Sequence, residues 1–112
     1  TFNQAATGAS GIETLLATSL ELYHNQSLKL DTIIAALTSN PAKILKINKG
    51  NLSIGEDADF NIVDINKPWV VKKEKIVSKS KNTSLDEKKL QGKVLNTFIK
   101  GEELFKLWLM NI

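Results

Sequence analysis

His24 is the only histidine, and the chain has no cysteine. A metal site built from imidazoles needs at least two histidines, and a thiolate site or cysteine nucleophile is excluded outright. A Ser-His-Asp triad with His24 is formally open, but no nucleophile elbow supplies the serine. His24 therefore reads as a structural residue at a helix end. The acids Glu56, Asp57 and Asp59 cluster before an extended segment. Three such carboxylates could hold a hard cation, but Asp is favoured in turns and the Gly-centred loop and closing Glu of an EF-hand are missing. The turn is the expected reading. Gly8 and Gly11 are wrongly spaced for a phosphate-binding loop, and no strand precedes them. Thr7-Gly8-Ala9 still lies just before an expected helix start, where backbone N–H groups can meet an anionic ligand. Trp69 and Trp108 can mark a contact surface, although core or interdomain packing is the expected use.

These residues need elements to position them. Ser10-Gly11-Ile12-Glu13 has the form of a capping box. The Ser10 hydroxyl would accept from the Glu13 N–H, and the Glu13 carboxylate would reach back to the Ser10 N–H. Ile12, Leu15, Leu16, Leu20 and Tyr23 then recur at helical spacing. The helix is expected to end near His24-Asn25, with Asn25 in a left-handed conformation. A second helix is expected from Asp31, and a third with Asn40 as cap and Pro41 at its first position. Their apolar sides outnumber the faces they can offer one another, so they are expected to pack on something else.

Beyond Lys49-Gly50 the period changes to that of strands. Leu52-Ser53-Ile54-Gly55-Glu56 reads as a short strand and turn. Residues 59–64 alternate, with Phe60 and Ile62 on one side. Trp69-Val70-Val71 is a separate extended candidate. Residues 72–75 are a lysine-rich surface segment, and 78–89 a polar loop. Residues 92–100 are the clearest strand. Lys100-Gly101-Glu102 turns tightly into a last strand at 103–105. Residues 106–112 are apolar and uncapped, with no assigned structure.

The whole is an α+β chain of 112 residues, enough for one small domain. No apolar run approaches the roughly 18 residues of a membrane span, and the start has no signal-peptide pattern. The absence of cysteine fits a reducing cytosol, and a cytoplasmic setting is expected. All fifteen basic residues are lysine, for a net charge of +3. A spread lysine excess without arginine reads as solvated surface rather than a nucleic-acid footprint. The first residue is Thr1 rather than Met, so a processed start or a piece of a longer polypeptide is expected.

Five stretches together resemble the dihydroorotases of the amidohydrolase superfamily. Residues 5–16, around Gly11-Ile12-Glu13-Thr14, resemble the family's Gly-Leu-Glu-Thr segment after the last barrel strand. Residues 37–45 resemble its T-x-N-P-A-x-x-L helix pair. Residues 50–64, containing Gly55-Glu56-Asp57-Ala58-Asp59, look like the superfamily's G-x-D-A-D signature. Ser78-Lys79-Ser80-Lys81-Asn82-Thr83 resembles the narrower S-K-S-x-N-T stretch, and residues 92–101 a closing G-x-V-x-x-T-x-x-x-G. The Ser78-to-Thr83 stretch, with Gly-Ile-Glu-Thr, narrows the resemblance to dihydroorotases and their near relatives, and itself argues against a hydantoinase or allantoinase.

The resemblance implies a fold and an activity. Residues 1–48 would be the last helices of a (β/α)₈ metal-dependent hydrolase barrel, of about 250 residues in all. Residues 49–112 would be the C-terminal strands and tail of a small β-sandwich. The reaction would be the interconversion of N-carbamoyl-aspartate and dihydroorotate in pyrimidine biosynthesis. Zinc, its histidine and lysine ligands and the catalytic aspartate would all precede Thr1, leaving no catalytic or metal-binding residue in this chain. Substrate contacts would be backbone ones at Thr7 and Gly8. Implied partners are the small-molecule substrate, the rest of the barrel, and a second copy or aspartate carbamoyltransferase; nucleic acid and membrane are not. Ala17 and Ser84 stand where the family commonly has proline, and residues 106–112 match nothing in it. A non-catalytic dihydroorotase-like subunit, partnering aspartate carbamoyltransferase, is the alternative.

Overall fold

The computed structural model describes residues 1–108, so the part of the apolar tail from 109 to 112 lies outside the described residues. A 3-10 turn, Phe2–Gln4, is followed by α1 (Leu15–His24), α2 (Leu30–Leu37) and α3 (Ser39–Leu45), and a second, Lys73–Lys75, follows the first strand. Three antiparallel strands follow in the order β1 (Phe60–Val70), β2 (Lys89–Ile99) and β3 (Glu102–Lys106).

The helical periodicity puts Ala17 and Leu20 on the face of α1 that meets β2, and both are buried. Ala17 joins Val71 and Leu90 in a small core against which Trp69 and Leu85 pack. Gly92 shows how close the approach is. A Cβ there would lie 2.4 Å from Cδ1 of Leu20, and its φ of +115° is one that side-chain-bearing residues rarely adopt. The end of α1 is tied to β1 by His24, whose Nε2 lies 2.8 Å from the Ile65 carbonyl oxygen. That distance puts the proton on Nε2, donating to the carbonyl. Lys88 and Glu21 add an exposed ion pair of 3.1 Å across the same seam.

Several helix ends differ from expectation. Asn25 has a φ of −87°, and the left-handed residue is Gln26, at +64°. Thr38 rather than Asn40 precedes α3, which moves Pro41 two places into its first turn. Proline is still tolerated there, because first-turn N–H groups have no intrahelical acceptor. α2 begins at Leu30, one residue before the expected Asp31.

The sheet also joins what the sequence separates. Residues 59–64 and 69–71 were expected as two extended pieces, yet β1 runs unbroken from Phe60 to Val70. A register shift between Asp64 and Pro68 absorbs the intervening residues, and the Asp64 carboxylate accepts the Asn66 N–H at 3.0 Å inside it. Proline, which cannot donate to a ladder, sits at the end of that irregularity. Phe60 and Phe98 are register partners, stacked with centroids 4.6 Å apart. By contrast, Leu52-Ser53-Ile54 is not a strand: the Glu56 N–H bonds back to the Ser53 carbonyl at 3.1 Å, and Ile54 is fully exposed. Among the described residues no neighbouring strand is placed to pair with it. β2 and β3 meet as expected at Lys100-Gly101, with φ of +50° and +78°, the paired positive values of a two-residue hairpin turn.

Apolar faces remain uncovered. Ile12, Ile44, Leu45 and Leu52 are more than half exposed. An apolar groove of about 480 Å³ runs between α1, α2 and β1, floored by Leu16, Leu37, Phe60 and Val63. No helix among the described residues is long and apolar enough to cross a membrane.

Candidate substrate-contact loop

Thr7 and Gly8 lie on an exposed loop that is not at a helix N-terminus. α1 begins only at Leu15, and Thr14 N–H closes a turn onto the Gly11 carbonyl at 3.3 Å before it. The helix-end reading of an anion site is thus corrected. The expected capping box is also absent, because both of its side chains are used elsewhere. Glu13 accepts the Val77 N–H at 3.0 Å and the Ser78 N–H at 3.3 Å through Oε2. The Ser10 hydroxyl donates to the Ser80 carbonyl at 3.2 Å and lies 3.4 Å from the Ser78 hydroxyl. Two polar loops more than sixty residues apart thereby replace the local ring of a capping box.

More ties run nearer the candidate contact. The Asn82 side-chain amide donates to the Gly8 carbonyl at 2.5 Å. The Asn82 carbonyl accepts the Ser10 N–H at 2.7 Å. Lys81 stiffens the second loop by donating to the Ser78 carbonyl at 3.0 Å and to the Ile76 carbonyl. Gly8 has a φ of +99° and open space around its missing side chain, so conformation rather than crowding calls for glycine. Beside this seam, residues 9–14 with Ile76 and Ser78 enclose a cleft of about 200 Å³. The role of Ser10, Glu13 and Asn82 was missed in the sequence. Their only sequence signal was two polar motifs of unusual specificity with no chemistry of their own.

The acidic trio is built into a turn. Lys49 bridges Asp57 at 3.2 Å and Asp59 at 2.5 Å. Asn48 donates to Glu56. The Lys49 hydrogen bond, and then the Lys100 N–H at 2.8 Å, hold the Asp59 carboxyl below its usual range. The same two carboxylates raise Lys49. Lys93 is pushed the other way by partial burial, with its ammonium 3.7 Å over the Trp69 ring. The Trp69 indole N–H donates to the Gly92 carbonyl at 2.9 Å, so this tryptophan packs in the helix–sheet seam. Among the described residues no three His, Asp or Glu side chains converge as metal ligands. With one histidine already bonded to a carbonyl and Asp57 and Asp59 paired to lysine, this donor set does not fit a zinc site.

Residues 4–104 match the family model described as "Amidohydrolase family". The chain is 43% identical over 102 residues to a dihydroorotase of Ehrlichia chaffeensis, covering 91% of this chain and 23% of that protein. It is 40% identical over 102 residues to a dihydroorotase of Aquifex aeolicus, covering 91% and 24%. It thus spans about a quarter of the length of these relatives. The L-hydantoinase (dihydropyrimidinase) of Arthrobacter aurescens superposes with a TM-score of 0.85 at 29% identity, over 94% of this chain and 24% of that one. A D-hydantoinase gives 0.83 at 20% identity over 94% and 23%, a likeness of fold alone.

Proposed function

Because this chain belongs to the amidohydrolase family, we propose that it is the C-terminal part of a dihydroorotase, which interconverts N-carbamoyl-aspartate and dihydroorotate in the cytoplasm. The observation that carries this reading is about 40% identity, over nine-tenths of the chain, to proteins named dihydroorotase. The hydantoinases share the fold at lower identity. The joined loops support it as well. Gly11-Ile12-Glu13-Thr14 and residues 78–83, the two stretches that narrow the resemblance, touch each other through Glu13.

In this reading residues 1–48 are the closing helices of a (β/α)₈ barrel, and residues 49–112 are strands and tail of a β-sandwich. The exposed Ile12, Ile44 and Leu45 support it, being apolar surface that a barrel would cover. The remainder of the barrel is their first partner; a second copy or aspartate carbamoyltransferase would use the surface left open. Zinc, the metal of this reading, belongs to the remainder of the polypeptide. The contribution of this chain is to bind and orient. Backbone groups at Thr7 and Gly8 meet the substrate, and α1, seated on β2, carries the loop that presents them.

The test is a turnover assay of the full-length polypeptide with dihydroorotate, N-carbamoyl-aspartate and a hydantoin as substrates. Turnover of the first two in both directions supports the reading. Turnover of the hydantoin alone overturns it. A stable, inactive protein that binds aspartate carbamoyltransferase also overturns it, in favour of a non-catalytic subunit.

A further inference from the structure

We infer that the loop of residues 76–82 is the mount of the substrate-contact loop, and that Asn82 is a positioning residue acting through the Gly8 carbonyl. The inference rests on the dihydroorotase reading and deepens it. Two bonds from Asn82 flank Ala9 at the end of the contact: its amide donates to the Gly8 carbonyl at 2.5 Å, and its own carbonyl accepts the Ser10 N–H at 2.7 Å. A trans peptide is planar, so holding the Gly8 carbonyl sets the whole Gly8–Ala9 peptide and aims the Ala9 N–H away from Asn82. Among the described residues the Ala9 N–H has no hydrogen-bond acceptor. Gly8 joins this peptide to the Thr7–Gly8 one through a φ of +99°. One residue thereby holds two successive peptides, Gly8–Ala9 through its side-chain amide and Ala9–Ser10 through its own carbonyl, directly after the Thr7–Gly8 contact.

The mount is itself held from both sides. Glu13 grips the Val77 and Ser78 N–H groups, Ser10 grips the Ser80 carbonyl, and Lys81 closes the loop on the Ser78 and Ile76 carbonyls. Most of these bonds have a main-chain atom on one side, so they constrain backbone rather than side-chain position. A loop that offers backbone N–H groups to a ligand benefits from that kind of constraint, since its donors must be in place before the ligand arrives.

The experiment is steady-state kinetics on the full-length enzyme, with melting temperature measured on the same samples. Asn82→Ala is expected to raise KM for dihydroorotate about tenfold or more while kcat stays within about threefold, the signature of lost binding rather than lost chemistry. Glu13→Ala is expected to raise KM too, and Glu13→Gln, which keeps one acceptor oxygen, to restore part of it. An Asn82→Ala enzyme that melts earlier but keeps its KM overturns the inference and leaves the dihydroorotase reading intact. A wild type that turns over neither dihydroorotate nor N-carbamoyl-aspartate overturns that reading, and the inference with it. If Asn82→Ala does not accumulate as folded protein, Asn82→Asp decides: it keeps the shape but removes the donor to the Gly8 carbonyl, and an unchanged KM overturns the inference.

Discussion

Gly92 and His24 hold the same seam by different means, and the two make different predictions. Gly92→Ala would drive a Cβ into the wholly buried Leu20, whose side chain would have to shift, at a φ of +115°. Overpacking and left-handed strain together are expected to cost roughly 2–4 kcal/mol, measured by urea denaturation of the full-length protein. His24→Ala removes the bond to the Ile65 carbonyl and the ring's packing against Tyr23. It is expected to cost about 1–2 kcal/mol in the same measurement and to leave KM unchanged; loss of activity with stability intact would give His24 a chemical role after all. Asp59 predicts an acid response. A carboxyl whose folded pKa lies below its unfolded one adds stability above the unfolded value and loses it as pH falls through the folded one. The tie of Asp59 to Lys49 and to the Lys100 N–H should therefore be complete near neutrality and fade below about pH 4. Hydrogen exchange of the Lys100 amide against pH, in wild type and Asp59→Asn, would show it: the acid-sensitive step should vanish in the variant.

At the scale of elements, what could be read from sequence was whatever depends on a residue's own neighbours in the chain. Helical spacing located α1, α2 and α3, and alternation located β2. The hairpin at Lys100-Gly101 followed from turn chemistry. Failures came where a distant partner outbid a local one. Ser10 and Glu13 satisfy the capping pattern, yet residues 76–82 offer them N–H and carbonyl groups in better reach. Leu52-Ser53-Ile54 has strand composition but no ladder to join, and Pro68 suggests a break that the register shift absorbs. The hairpin carries its own prediction. Lys100 holds a left-handed φ of +50° that asparagine adopts more readily. Lys100→Asn keeps the N–H that Asp59 accepts and should stabilise by roughly 0.5–1 kcal/mol, read as a higher melting temperature.

For the whole molecule, the uncovered groove between α1, α2 and β1 and the exposed Ile12, Ile44 and Leu45 are expected to make the isolated 112 residues self-associate. Light scattering against concentration checks this; a cooperative monomer at all concentrations would mean these faces need no cover. The same sample is expected to bind no zinc at stoichiometric affinity, and equilibrium dialysis would reveal it if it did. The candidate site was legible only in part. The residues alone marked Thr7-Gly8-Ala9 only as backbone N–H groups before an expected helix start, and the substrate role of Thr7 and Gly8 came from the resemblance, since backbone groups leave almost no trace in side-chain chemistry. Asn82 was invisible as a partner of Gly8, since seventy-four residues separate them in the chain and nothing local requires it.

The two tryptophans carry a further consequence, an optical one. Trp69 is half-buried, donates its indole N–H to Gly92 and lies under the Lys93 ammonium, whereas Trp108 is about two-thirds exposed. Their emission is set by different surroundings. Trp69 should fluoresce at shorter wavelength and resist a neutral quencher, and Trp108 should emit further to the red and be quenched readily. In a Trp108→Phe protein the remaining tryptophan signal of this segment would follow the meeting of α1 with the sheet, the platform on which the latched loop stands.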